Sequence, residues 1–149
     1  MTSRSGDSEL DVGSAESGLN VLLSACDRAV EEEIGSTVPP VQLRALLVLY
    51  RAGSLNLNRL ARAIAASASA ASRLLDRMQT AGLVTRDRAA GSGREIVVKP
   101  TEAGRRLAEW VRARRRVALT RLMEGMSSDG REALVRGLGE LAAEGTRRG

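Results

Sequence analysis

Residues 60–88 read LARAIAASASAASRLLDRMQTAGLVTRDR, and residues 94–104 read REIVVKPTEAG. In the first stretch Ala71, Leu74, Leu75 and Met78 recur at spacings of three and four, the period of one helix face. That assignment leaves Ser69, Arg73, Asp76 and Arg77 on the opposite face. Ser67 or Ser69 can start this helix, because a serine hydroxyl accepts from a free backbone N–H of the first turn. Gly82 is placed to end it as a C-terminal cap. Upstream, a shorter helix from Asn58 puts Leu57, Leu60, Ala61 and Ile64 on one face, and the chain turns at Ala65 and Ala66. Downstream, residues 83–87 and 95–99 read as two extended segments joined by a small tip, a β-hairpin with arginines at its base.

Working outward, Leu19, Leu22, Leu23, Cys26, Val30 and Ile34 mark an amphipathic helix that ends near Gly35. Residues 1–15, rich in Ser, Gly and Asp, read as a disordered tail. Pro39 and Pro40 can open the next helix, since proline suits a first turn whose N–H groups have no partner. Residues 41–50 are apolar on nearly all sides, and Gly53 stops that helix. On the other flank Thr101 caps a long arginine-rich helix reaching about Met123, with Leu107, Val111, Ala118 and Leu122 as its apolar positions and Trp110 and Val117 alongside. After a break at residues 125–128, a last helix packs Leu134, Leu138 and Leu141, with Asp129 and Glu132 as a capping box. The expected fold is mainly α with a small β-hairpin wing. Its core is built from Leu, Val, Ile and Ala, because aromatic residues are 1% of the chain and apolar ones 43%.

The net charge of +5 over 149 residues is unevenly spread. Residues 1–57 carry four basic and eight acidic groups, residues 58–99 eight and three, residues 101–124 seven and three, and residues 125–149 four of each. The excess positive charge therefore coincides with the paired helices, the hairpin and the helix after them. Two short helices joined by a tight turn and followed by a basic hairpin form a winged helix-turn-helix. B-DNA's major groove admits one helix, and the flanking phosphates must be met by cations and N–H groups. The expected recognition helix offers Ser67, Ser69, Ala70 and Ser72 for close approach, with Arg73 and Arg77 to reach a guanine edge or a phosphate. Arg86, Arg88 and Arg94 are the wing arginines, of the kind that enter a narrow minor groove.

Other classes are poorly served. There is no histidine, no pair of carboxylates on one face of a cleft, no serine with a base beside it and no metal-ligand cluster, so neither enzyme, cofactor nor metal site is expected. Gly91, Ser92 and Gly93 are too short a run for a phosphate-binding loop and lack its lysine. Single-stranded nucleic acid needs aromatic platforms that this region lacks. A winged helix used only for protein contacts is the alternative, and exposed apolar residues on the recognition helix would support it. No run approaches the ~20 apolar residues of a membrane span, and the polar N-terminus has no signal-peptide core, so a cytoplasmic location is expected. Cys26, on an apolar stripe beside Asp27 and Glu31, reads as a small core residue rather than a redox sensor. Tyr50 and Trp110 read as core fillers, and the arginines of residues 112–116 as a solvated face.

At these residues the chain resembles the MarR family of bacterial transcriptional regulators, over roughly residues 19–145. The most specific part is SRLLDRM followed by AGLV and, beyond the hairpin, by TEAG. Two positions depart from the family pattern: Ser92 stands where an aspartate is usual, and Pro100 where a leucine is usual. The resemblance implies a homodimer on a near-palindromic operator, joined through residues 16–36 and 101–145, with residues 37–100 as the DNA-binding region. The residues agree, since terminal helices that are apolar on one face call for a partner surface, and a two-fold dimer is its commonest form. The resemblance further implies a small aromatic or anionic effector between the two regions, for which Arg28, Arg44 and Tyr50 are the expected pocket residues.

Overall fold

The computed structural model describes residues 11–34, 37–88 and 96–148. Its elements run α1 (Val12–Ile34), α2 (Pro40–Ala52), β1 (Leu55–Asn56), α3 (Leu57–Ala63), α4 (Ala68–Thr80), β2 (Val84–Arg88), β3 (Ile96–Pro100), α5 (Glu102–Glu124) and α6 (Ser128–Arg148). The strands form an antiparallel sheet in the order β1-β3-β2, with Val84 opposite Pro100, Arg86 opposite Val98 and Leu55 opposite Val98 on the other side. The hairpin thus carries a third strand that periodicity did not show, because two residues are too few to display an alternation. Pro100 closes β3, where it pairs only with β2 and its missing N–H costs the ladder little.

The winged region is organised by the α4 stripe. Ala71, Leu74, Leu75 and Met78 are the buried residues of α4. Leu74, Leu75 and Met78 join Leu46 and Leu49 of α2, Leu60 of α3, Ile64 just after it, Val84 and Val98 of the sheet and Ala108 of α5 in one core. Two turns of the same kind frame this core. After α4, Gly82 takes φ 70° while the Gly82 N–H bonds the Gln79 carbonyl and the Leu83 N–H bonds the Met78 carbonyl. After α3 the same pattern is built on Ala65 at φ 55°, with the Ala65 and Ala66 N–H groups on the Arg62 and Ala61 carbonyls. An alanine pays a Cβ clash there that glycine does not, on the order of 1 kcal/mol. The turn is kept because Leu60 and Ile64 on one side and Ala71 on the other are fixed in the core.

The flanking helices differ from their expected form in three ways. α1 starts at Val12, inside the stretch expected to be disordered, because the Asp11 carboxylate accepts from the Ser14 backbone N–H at 3.1 Å and from its hydroxyl. These bonds, the hydroxyl's first, hold the Asp11 carboxyl below the usual carboxylate range. α6 is capped by Ser127, whose hydroxyl accepts from the Gly130 N–H at 3.1 Å, and not by an Asp129–Glu132 box. The apolar stripes are only partly covered. On α1 only Cys26 and Val30 are buried, while Leu19 and Leu23 are exposed, and among the described residues none of α6 is buried. α1 is held to α5 by Val30 against Val111, in a cluster completed by Leu43 of α2, and by ion pairs from Arg114 to Glu33 at 2.6 Å and from Arg115 to Asp27 at 3.4 Å. Part of the arginine run of α5 is therefore structural and not merely solvated. Among the described residues no helix is long and apolar enough to cross a membrane.

Candidate nucleic-acid interface

The outward face of α4 is built from its first turn. Ser67 caps the helix by accepting from the Ala70 N–H at 3.2 Å, and its hydroxyl lies 3.2 Å from that of Ser69. Ser67, Ser69, Arg73 and Arg77 are exposed, whereas Ala70 and Ser72 are half-buried at the edge of the face. Neither the Arg73 nor the Arg77 guanidinium has an ion-pair partner among the described residues; the two acids nearest in sequence, Asp76 and Asp87, pair with Arg86 and Lys99. α3 adds Arg59 and Arg62, both exposed, which the periodicity analysis passed over because it followed only the apolar face of that helix. The Arg59 backbone N–H is the donor to the Asn56 carboxamide that caps α3.

The wing arginines do not form one set. Arg88 is exposed at the end of β2. Arg94, with Ser92, lies outside the described residues. Arg86 is turned inward: its Nη2 donates to the Ser72 carbonyl at 3.0 Å and pairs with Asp76 at 2.7 Å, its side chain is 24% exposed, and its Nε is buried without a partner. Arg86, expected at the groove, thus links hairpin and helix in this structure. Strand alternation is the reason, because Arg86 shares the face of Val84, which faces the core.

The TEAG segment locks the start of α5 to the α4–β2 turn. Thr101 donates its hydroxyl to the Gly82 carbonyl at 2.6 Å and its N–H to the Leu83 carbonyl at 3.0 Å, while its hydroxyl accepts from the Gly104 N–H at 3.0 Å. A Cβ at residue 104 would sit 2.1 Å from the Leu83 carbonyl oxygen, so only glycine allows this approach. The start of α5 and the α4–β2 turn therefore meet backbone to backbone.

A separate open cleft of about 950 Å³ lies between the end of α2 and the middle of α5. It is lined by Leu47, Tyr50, Arg51, Glu109, Arg112 and Arg116, among others. The Tyr50 hydroxyl donates to Glu109 at 3.1 Å, and the Arg112 guanidinium stands 5.3 Å from the Tyr50 ring centre. Of the expected pocket residues only Tyr50 lines this cleft. Arg44 projects from the exposed side of α2, and Arg28 is exposed on α1, so neither joins it. Tyr50 and Trp110 are half-buried, the latter under the Arg114 guanidinium at 5.5 Å. Cys26 is buried, and burial pushes its thiol up, with the Asp27 charge adding and the Arg115 charge opposing. Among the described residues no group of histidine, cysteine or acidic side chains could hold a metal ion.

An exposed, cation-bearing helix in a helix-turn-helix, followed by a β-hairpin and flanked by long terminal helices, defines a winged helix-turn-helix architecture. Residues 36–95 match the MarR family. The chain is 28% identical over 124 residues to an uncharacterized HTH-type transcriptional regulator of Bacillus subtilis, YfiV, covering 83% of this chain and 78% of that one. A MarR family protein from Bacillus stearothermophilus superposes with a TM-score of 0.74 at 27% identity, over 91% of this chain and 95% of that one. FabT of Streptococcus pneumoniae, solved in complex with DNA, shares the fold with a TM-score of 0.73 at 14% identity, over 92% and 96%. Over residues 36–95 the chain is thus similar to the MarR family, and over most of its length it shares the winged-helix fold of a MarR family protein.

Proposed function

We propose that the protein is a homodimeric, sequence-specific double-stranded DNA-binding repressor that acts in the cytoplasm by occupying a near-palindromic operator. The observation that carries this reading is the outward face of α4. It presents small hydroxyls at Ser67 and Ser69 beside two exposed arginines, Arg73 and Arg77, with no ion-pair partners among the described residues. A face of this size and charge fits a major groove, with the arginines reaching guanine edges or phosphates. Arg88 and Arg94 serve as the wing contacts, and Arg59 and Arg62 of the preceding helix lie where the first helix of such a motif crosses the backbone. FabT, which has this fold, is solved on DNA. Residues 37–100 form the DNA-binding region in this reading.

The dimer is supported by what the single chain leaves open. Val12, Leu19 and Leu22 of α1 face Leu134, Leu138 and Leu141 of α6 across an apolar groove of about 960 Å³. Residues 16–36 and 101–145 provide the two-fold surface, since a second copy covers such a stripe with the same stripe. A small aromatic or anionic effector fits the Tyr50 cleft, where Arg51, Arg112 and Arg116 supply positive charge.

The test is a titration against a duplex from upstream of the protein's own gene and a scrambled duplex of equal length, at ~0.15 M salt where non-specific attraction is largely screened. The expected result is a preference of about a thousandfold or more with two chains per duplex. Equal, weak binding to both would contradict the reading.

A further inference from the structure

We infer that Asp76 and Arg86 form a positioning pair that sets the angle between the recognition helix and the hairpin, so that an acidic residue on the DNA-facing helix promotes DNA binding. The inference rests on the DNA-binding reading above. Asp76 is one turn from Arg73 and next to Arg77, and its side chain is 61% exposed. Left alone, a carboxylate there would repel phosphates. It is instead neutralised by Arg86 at 2.7 Å, and the same Nη2 donates to the Ser72 carbonyl at 3.0 Å. Ser72 and Asp76 are one helical turn apart, so a single guanidinium grips a whole turn of α4.

The strand side of this link is equally fixed. Arg86 stands at the centre of the hairpin register, opposite Val98, and Val84 and Val98 on the same face are buried in the core. Its Nε is buried with no partner, a desolvation cost that swinging out to solvent would relieve. The guanidinium stays because the carboxylate and the helix carbonyl hold it. The pair carries no net charge, so it releases no counterions when DNA binds. Its contribution is orientation, which places Arg73 and Arg77 in the groove while Arg88 meets the backbone.

Arg86→Gln, Asp76→Asn and the double variant separate this role from a phosphate contact when affinity for the upstream duplex is measured across salt concentration. Each single change is expected to weaken binding about tenfold and the double change no further, the non-additivity of partners that act together. The slope of log affinity on log salt should stay within about half a unit of the unaltered protein, because no phosphate contact is lost. A slope reduced by about one in Arg86→Gln, or tighter binding by Asp76→Asn, would overturn the pairing. So would unchanged affinity accompanied only by a lower unfolding temperature, which would reduce the pair to a stabilising link. If the unaltered protein prefers its duplex, those outcomes reject the pair alone. If it shows no preference, the DNA reading fails and the inference falls with it.

Discussion

The winged region and the terminal helices draw on similar apolar side chains and use them differently. In the winged region Leu46, Leu49, Leu60, Leu75 and Met78 are all under 2% exposed, closed over by one another and by two strand valines. On α6, Val135, Leu138 and Leu141 are 58%, 41% and 69% exposed, and on α1 Leu19 and Leu23 are 51% and 53% exposed. The first region satisfies its hydrophobic surface within one chain. The second presents a contiguous apolar groove, the kind of patch that marks an interaction surface. The difference locates the closed core in one region and, in the proposed dimer, the surface for a second copy in the other. α5 belongs to both, running from the Thr101 junction with the α4–β2 turn to the apolar groove at Leu122.

The contrast can be broken most sharply at the groove. Replacing Leu138 and Leu141 together with aspartate is expected to halve the particle mass in sedimentation and to weaken operator binding about a hundredfold or more, since each recognition helix then binds without its tethered partner. The winged region should keep its helical signal. A dimer that survived the change would place the two-fold surface elsewhere. A second change attacks the closed region. Gly104→Ala forces a Cβ into the Leu83 carbonyl oxygen, and a loss of about 1–3 kcal/mol of unfolding free energy in urea is expected. Little or no loss would show that α5 can lift from the α4–β2 turn at low cost.

The smallest effect concerns Cys26, on the boundary between the two regions. Its raised pKa means that the thiol stays protonated around neutral pH, and the group is covered as well. Alkylation of the folded protein is expected to be far slower than that of the urea-unfolded chain, with DNA binding unchanged by mild oxidant. Reaction at the unfolded rate would show that α1 opens readily.

These two regions also differ in how legible they were. The α4 stripe, the Ser67 cap, the Gly82 turn and the Thr101 cap follow from local rules of spacing and capping, and each is present. Interactions that depend on distant residues were not legible. Nothing local in Arg86 distinguishes a groove contact from a partner for Asp76, because the two meet only once the hairpin folds back on the helix. β1 is too short to show a period. The arginines of α5 looked like a solvated face until α1 supplied Glu33 and Asp27. The resemblance implies a pocket role for Arg44 without fixing which side of α2 it takes, and that residue lies on the exposed side, away from the Tyr50 cleft. The start of α1 was hidden by a Ser- and Gly-rich composition in which one residue, Asp11, decides the boundary.

The central claim is that the exposed face of α4 reads base sequence. Arg73→Ala, titrated against the upstream duplex and the scrambled duplex at the same salt, tests it most directly. A loss of roughly 1–3 kcal/mol on the upstream duplex and a smaller loss on the scrambled one are expected, narrowing the preference between them. Equal affinity of the variant and the unaltered protein for the upstream duplex would contradict it.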